Sequence, residues 1–405
     1  MRTMGERARC RLAFDERGSL GLAGAVGLRV GGAAARVGVV FGGPSPEHDV
    51  SILTGLQAAR ALQGTAGIGE VHLLYWSKVA EWFELPLGLE AAAFVSGVPQ
   101  GAQPLRLVTG AGGGFVGRKG RFAQKDEPLE LDVVLNCCHG GPGEDGTLQG
   151  VLDLAGIPYS GPSVSGAALG MDKLAFGAMV ASAWLPMLPR VPLSEQTPEP
   201  SFPGPYIVKP RFGGSSIGIE VVGDFATAKA RLKVNPHLRR GAVLEPYQPE
   251  LYDLQVAVRV WPDLELSAIE RPLRSRQGGE ILGYQDKYVG GEGMASAPRE
   301  CPASVSPELE RQLRAAATEI AYLAGVRGVA RIDFLSDGDA LYVNEINTIP
   351  GSLARYLWVD PPRPFQSLLL DLLGEAIARP STHFSVQGAD GSVLRSAGTI
   401  ASKLA

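Results

Sequence analysis

Two runs rich in β-branched and apolar residues, 329–335 and 340–346, flank Ser336-Asp337-Gly338-Asp339, whose turn chemistry predicts a β-hairpin. Arg331 and Asp333 lie two apart and share one face of the first strand, with Ile332 and Phe334 on the other. Glu345 and Asn347 share a face of the second strand in the same way. Pairing of the strands would bring together one carboxylate from each, beside an amide oxygen. Three hard oxygen donors without His or Cys suit Mg²⁺ bridging the phosphates of a nucleotide. An ordinary surface hairpin with polar outer residues fits the same pattern, and the hairpin alone leaves both readings open.

Upstream, order begins at Val37. VGVVFGG (37–43) reads as a buried strand ending in two glycines. Ser45, Glu47 and Asp49 then surround the start of an apolar-periodic helix, where N-caps and anion sites form. Residues 71–131 alternate like strands around a Gly-rich interruption. Gly112, Gly114 and Gly117 match G-x-G-x-x-G in form, but no apolar helix follows, so a dinucleotide site is rejected in favour of a loop or hairpin. LDVVLNCCHGG (131–141) is a further buried strand that delivers His139 to a loop holding Glu144 and Asp145, a structural histidine or a polar site. ALGMDKLAFGAMV (168–180) reads as one helix carrying Lys173. In YIVKPRFGGSSIGIEVV (206–222), Lys209 ends a strand and Gly213-Gly214-Ser215-Ser216 forms a loop leading to a second strand at 217–222. Such a loop offers backbone N–H groups to phosphate and folds over a nucleotide as a lid; a plain hairpin turn is the alternative. Glu245 sits at a strand end before a proline-marked turn, Lys287 and Tyr288 lie in a polar-aromatic loop, and 307–325 and 364–379 are amphipathic helices. Residues 381–405 show only weak periodicity.

Composition narrows the function classes. A chain of 405 residues with 53 glycines and 30 prolines, 45% hydrophobic and 20% charged, predicts a soluble globular protein of two or three domains rich in loops. The net charge of −4 and the lack of a Lys/Arg-rich face argue against a nucleic-acid partner. Cys10, Cys137, Cys138 and Cys301 fit no disulfide or zinc spacing, which places the chain in the reducing cytoplasm, with the vicinal pair as buried, inert thiols. No apolar run approaches the ~18 residues of a membrane span. Residues 20–35 make a poor signal sequence, because glycines interrupt the apolar run and Asp15 and Glu16 stand where positive charge is wanted.

Seven strings, in one order, carry a resemblance: GGPSPEHDVS (42–51), HGGPGEDGTLQG (139–150), GIPYSGPSVSGAALGMDK (156–173), VKPRFGGSSIGI (208–219), YQDKY (284–288), RIDF (331–334) and NEINTIPG (344–351). With them the chain resembles the D-alanine–D-alanine ligases of the ATP-grasp superfamily from about residue 37 to 379. The resemblance implies an α/β and α+β architecture: an ATP-grasp fold with a Rossmann-like N-terminal domain. It sets expected boundaries at 1–36 for an extension, 37–160 for the first-substrate domain, 161–247 for the lid domain, 248–379 for the metal and catalytic domain, and 380–405 for a tail. It implies ATP as substrate, two Mg²⁺ ions with Mn²⁺ as an alternative, amino-acid substrates and a homodimer. Residue by residue, Lys173 and Lys209 match the nucleotide-phosphate lysines, Gly213, Gly214, Ser215 and Ser216 the lid, and Glu245 the hinge acid at the adenine end. Glu250 or Asp253 matches the ribose acid. Glu47 matches the glutamate for the first ammonium, Ser215 its orienting serine, and Lys287 and Tyr288 the closing loop. Arg331 matches the arginine that steadies the tetrahedral intermediate, Asp333, Glu345 and Asn347 the metal ligands, and Gly351 an oxyanion contact. His139, Ser352, Tyr356 and Leu357 are expected near the substrates.

The chemistry asks for the same parts. A carboxylate does not condense with an amine near neutral pH until phosphorylation turns its oxygen into a leaving group. Mg²⁺ and lysines must then neutralise phosphate, and a lid must exclude water. The resemblance also has a departure: Tyr356 falls where the family commonly has the serine near the acceptor's carboxylate. Three functions compete on these grounds: a cell-wall D-alanine–D-alanine ligase, a dipeptide ligase with another donor or acceptor, and a non-catalytic nucleotide-binding relative. Retention of Lys173, Lys209, Asp333, Glu345 and Asn347 argues against the third.

Overall fold

The structure, a computed structural model, describes residues 28–110, 112–117, 126–273, 298–381, 384–397 and 399–400. Lys287 and Tyr288, with the rest of their loop, and Cys10 lie outside the described residues.

The first sheet is built on the run of Val and Phe residues after Ala35. β1 (Arg29–Val30) turns into β2 (Ala33–Gly42), so β2 begins four residues before Val37, with Ala33 and Ala34 paired to β1. After α1 (His48–Leu62), β3 (Ile68–Trp76) lies parallel to β2. β4 (Trp82–Leu85), β5 (Gln103–Val108), β6 (Gly114–Gly117) and β7 (Glu127–Pro128) extend the sheet antiparallel. β8 (Val133–Asn136) returns parallel beside β2. The three glycines of the G-x-G-x-x-G string fall in and around the β5–β6 hairpin, as the missing helix implied. Cys137 and Cys138 follow β8 fully buried, and burial pushes both thiols up, so neither is a thiolate near neutral pH.

Four helices connect this sheet to the next: α2 (Gly141–Glu144), α3 (Thr147–Ala155), α4 (Val164–Met171) and α5 (Lys173–Ser182). The single helix expected over 168–180 is thus two. Asp172 breaks it at φ −89°, ψ 101° because its carboxylate serves as the N-cap of α5, accepting from the backbone N–H of Leu174 at 3.0 Å and of Ala175 at 3.3 Å. The same carboxylate receives two hydrogen bonds from Arg211.

The second sheet joins β9 (Val191–Leu193), β10 (Tyr206–Pro210), β11 (Glu220–Val222) and, after α6 (Phe225–Val234), β12 (Ala242–Pro246), in the order β11-β10-β12-β9. β11 starts three residues later than the expected 217, because Ser215, Ser216 and Gly218 take positive φ and hold the chain in turns. The third sheet comprises β13 (Tyr252–Arg259), β14 (Glu265–Leu266) and, past the two short strands β15 (Arg271–Pro272) and β16 (Arg299–Glu300) and helix α7 (Pro307–Leu323), the hairpin β17 (Val329–Ser336) and β18 (Leu341–Asn347). Ile332 and Phe334 pack with Val256 of β13, Phe176 and Val180 of α5, and Leu313 and Ile320 of α7. That burial turns the opposite, polar face of the hairpin towards the second sheet. α8 (Phe365–Ala378) folds back to the first core, where Leu369 and Leu373 join the cluster of Val39, Leu62 and Leu135; a short α9 (Ser392–Ser396) follows. No helix among the described residues is long and apolar enough to cross a membrane.

Replacing Asp172 by Ala removes a cap and an ion pair at one position. Urea unfolding of Asp172→Ala is expected to show a loss of about 1–2 kcal/mol. A loss within a few tenths would mean that the break between α4 and α5 is not held by this side chain.

Candidate active site

The polar face of the third sheet carries a row of polar side chains, three of them acids, across three strands and an isolated bridge. β17 and β18 set Arg331 opposite Asn347 and Asp333 opposite Glu345. β13 sets Gln255 opposite Asp333, and Gln255 bridges in turn to Glu270. Side chains directly opposite in a sheet share a face, so Glu270, Gln255, Asp333 and Glu345 line up side by side. Arg331 grips Asp333 with two hydrogen bonds, Nε to Oδ1 at 2.7 Å and Nη2 to Oδ2 at 2.8 Å. Its Nη1 donates to the Tyr356 hydroxyl at 3.2 Å, and Asn347 Nδ2 donates to Asp333 Oδ2 at 3.1 Å. A forked pair of this kind fixes the plane of the guanidinium and the facing direction of the carboxylate. Asp333, Glu345 and Asn347 are hard ligands suited to Mg²⁺. Among the described residues no cluster of three His, Cys, Asp or Glu cages a metal, so other oxygens would have to complete the shell.

Two lysines enter from the facing elements. Lys173, in the first turn of α5, reaches Gly213 O at 2.5 Å and Glu345 Oε2 at 3.5 Å. Lys209 on β10 donates to Glu245 Oε2 at 2.8 Å and to Asn344 Oδ1 at 3.1 Å. Arg190 completes the cluster, with Nε 2.6 Å from Glu245 Oε1, Nη1 on Lys173 O and Nη2 on Asn344 O. Burial pushes the Lys173 ammonium below its usual range, Glu345 opposes this, and the charge of Lys209 adds to it. Burial raises Glu245, but Lys209 and Arg190 outweigh it and hold the carboxyl below its ordinary value. The result is a buried cationic pocket that an anion would relax.

The Gly213–Ser216 loop closes over this pocket towards the first sheet. Ser215 Oγ donates to Glu47 Oε1, although Glu47 precedes α1 by one residue and its side chain makes no cap hydrogen bond to that helix. Gly140, at φ +62°, leaves room for the same carboxylate: a Cβ there would stand 2.3 Å from Glu47 Oε2.

Beside it, residues of α1, α2 and the loop after β8 grip the chain leaving β18. Glu144 Oε1 accepts from the Ile349 N–H at 2.9 Å and from Thr348 Oγ1 at 3.1 Å, while its Oε2 accepts from the Gly140 N–H. His139 Nδ1 stands 2.7 Å from Ile349 O and its Nε2 2.7 Å from Thr54 Oγ1, which also accepts from the Ser352 N–H at 3.1 Å. A carbonyl can only accept, so Nδ1 carries the proton and the Thr54 hydroxyl donates to Nε2. Burial pushes His139 down to about 4, keeping it neutral. Burial and the neighbouring Glu47 push Glu144 up to about 7. Past Gly351, Ser352, Leu353 and Ala354 form a left-handed turn with φ of 51°, 50° and 53°.

Two cavities result. Glu47, His139, Lys173, Gly213, Gly214, Ser215, Arg331, Asn347 and Gly351 line the first, and Lys209, Ser216, Glu245, Asp253 and Asp333 the second. Gln255 and Glu345 border both. Ser352, Tyr356 and Leu357 line neither: Ser352 is tied to Thr54, Tyr356 lies behind Arg331, and Leu357 is fully buried, its carbonyl accepting from the Ala268 N–H. Asp253 borders the second cavity and Glu250 does not. Sequence reasoning missed Arg190, Thr54, Gln255 and Glu270. Thr54 was within reach, since it lies seven residues after Glu47, two turns along one helix. Arg190 sits in an irregular proline-flanked connection that carries no pattern at all.

Two family profiles match the chain, D-ala D-ala ligase N-terminus over residues 36–162 and D-ala D-ala ligase C-terminus over residues 189–358. A D-alanine–D-alanine ligase of Bradyrhizobium sp. (strain ORS 278) is 30% identical over 363 residues, 85% of this chain and 95% of its own length. One of Methylobacterium sp. (strain 4-46) is 32% identical over 367 residues, 85% of this chain and 91% of its own length. Among solved structures, the D-alanine–D-alanine ligase of Helicobacter pylori aligns with a TM-score of 0.64 at 25% identity, covering 86% of this chain and 100% of that one. The fold is the ATP-grasp arrangement with an N-terminal α/β domain.

Glu144 yields a pH dependence. Its folded value of about 7 lies above the reference 4.5, so the stability it contributes is complete below about 4.5 and is lost as pH rises through 7. The decline in unfolding free energy between pH 5 and pH 8, read by urea titration, should be smaller in Glu144→Gln by about 2–3 kcal/mol. Equal declines in the two proteins would contradict the raised carboxyl.

Proposed function

Since the chain belongs to the D-alanine–D-alanine ligase family, we propose that it joins two D-alanine molecules at the expense of ATP, for peptidoglycan precursors. One observation carries this reading: two buried lysines, the Asp333–Glu345–Asn347 oxygens, Arg331 and the Glu47–Ser215 contact converge on two adjoining cavities. In this reading the second cavity takes the nucleotide, with Glu245 at its inner end and Asp253 near the ribose. The first takes the amino acids.

Glu47, oriented by Ser215, holds the ammonium of the first amino acid and aims its carboxylate at the acid row. Lys173 and Lys209 offset the phosphate charge. Asp333, Glu345 and Asn347 fit Mg²⁺, one ion or two, which when bound supplies further neutralisation of the phosphates. The carboxylate oxygen attacks the terminal phosphorus and ADP leaves. The second amino acid's ammonium gives up a proton, its amine attacks the acyl carbon, and phosphate departs as the amide nitrogen loses a second proton to solvent. Arg331, held flat by Asp333, faces the oxyanion, and the backbone at Gly351 lies beside it. The Gly213–Ser216 loop excludes water from an acyl phosphate that water would destroy. An ATP-consuming reaction of this kind belongs to the cytoplasm, and the homodimer is carried by the family resemblance alone. A second reading, another acceptor amino acid, rests on Tyr356 beside Arg331.

Phosphate release with Mg-ATP across D- and L-amino acids, singly and in pairs, with mass spectrometry of the product, separates these readings. D-alanine alone should sustain turnover. A strict requirement for two different amino acids would select the second reading, and no turnover with any pair would overturn the ligase assignment. Asp333→Asn and Glu345→Gln should each lower ATP turnover by a factor of about 1,000 or more while melting as cooperatively as the parent. Full activity in both would remove the metal role from these carboxylates.

A further inference from the structure

The acid row extends past the expected metal ligands, and its far end has no assigned role. Glu270 and Gln255 are 4% and 5% exposed, both line the first cavity, and their backbones pair with each other. Glu270 Oε1 accepts from Arg299 Nη1 at 3.2 Å. Glu270 Oε2 and Gln255 Oε1 are buried without a hydrogen-bond partner among the described residues. Buried acceptors are normally satisfied, and each left unpaired is unfavourable. Two of them, on β13 and on the isolated bridge paired to it, both lining the cavity, call for a ligand that brings donors, and a carboxylate selects a cationic one.

The surroundings narrow the ligand further. Arg331 lines the same cavity, so an anionic and a cationic group face a molecule carrying both charges. Pro272, Leu273 and Pro298 form an apolar wall beside Glu270, suited to a short aliphatic body. Glu47, held by Ser215 of the lid loop, lines the same cavity and already serves the first amino acid in the proposed reaction. We infer that Glu270 Oε2 and Gln255 Oε1 receive an ammonium group of the amino acid that is joined second. This rests on the ligase reading and adds the acceptor's recognition to it. Either the α-ammonium or a side-chain ammonium supplies this chemistry.

Calorimetric titration in the presence of Mg²⁺ and a non-hydrolysable ATP analogue tests the subsite without requiring turnover. The probes are D-alanine, D-ornithine and D-lactate, the last with a hydroxyl in place of the ammonium. Glu270→Gln places an amide N–H₂ where an acceptor oxygen stood, and should weaken the second amino-acid binding step about tenfold or more. Weakening for D-alanine and D-ornithine alike assigns the site to the α-ammonium, and weakening for D-ornithine alone assigns it to the side chain. D-lactate binding should not change in either case. Gln255→Met, which leaves the Arg299 contact of Glu270 in place, should show the same pattern at about threefold or more and decides the matter if Glu270→Gln does not fold. Unchanged affinity of both amino acids in the folded variants overturns the inference. Equal weakening of D-lactate also overturns it, because that marks a structural role. Dipeptide formation by the parent protein is followed separately, so its absence tells against the ligase reading while the binding data still judge the subsite.

Discussion

Two lysine ammonium groups and a guanidinium are buried together between the second and third sheets, and the rest of the site follows from keeping them charged. Lys209 and Arg190 share Glu245, and Lys173 faces Glu345. An unpaired charge in such a place would neutralise rather than stay ionised. The compensation is incomplete, since Lys173 remains below its usual range. A site poised in this way gains most from a multiply charged anion, whose arrival opposes the effect of burial and favours the charged form of the lysine. The same cations also tie elements together: Arg190 joins a carbonyl of α5 to one of β18, and Lys209 joins β10 to β18 through Asn344. The pocket for an anion is therefore also a joint between two sheets.

A second constraint acts on the chain leaving β18. Glu144 and His139, from α2 and the loop after β8, take the N–H and the carbonyl of Ile349, and Thr54 takes the N–H of Ser352. Three consecutive residues without a glycine then follow in the left-handed region, where each L-residue costs roughly 1–2 kcal/mol. Such a turn persists because it is buried and gripped from outside: Leu353, Ala354 and Leu357 are among the most buried residues of the first core. Gly351 stands between the grip and the strain, which fixes its backbone without any side chain of its own.

Much of this was readable in the chain, for reasons that differ by residue. The hairpin was visible because its carboxylates alternate with core residues, and the alternation that buries Ile332 and Phe334 also gathers Arg331, Asp333, Glu345 and Asn347 on one face. The strings around Lys209 and Glu47 were visible as motifs. The break at Asp172 was hidden because Asp inside an apolar period looks like a solvent-facing position until its cap and its Arg211 partner are seen together. Gln255 and Glu270 were hidden for another reason. Their meaning lies in the cross-strand register of three strands, and one of the two is an isolated bridge that no local pattern announces. Tyr356 was noticed as a departure, but only the fold shows its hydroxyl accepting from Arg331 and its ring under Arg299.

That position sharpens what Arg331 can do. Its Nε and Nη2 edge is committed to Asp333, and its Nη1 is engaged by Tyr356. A guanidinium gripped on two sides does not swing to meet a substrate; the substrate must come to it in one orientation. On the ligase reading, the two cavities share Gln255 and Glu345 among the described residues, with Asp333 between them in the row, so the phosphoryl group crosses there. Arg331 lies two residue pairs along the same hairpin, on the same face, and lines the cavity assigned to the amino acids. The group that steadies the departing phosphate and the group that steadies the oxyanion are thus joined by one forked hydrogen bond, and displacement of either partner disturbs both halves of the reaction.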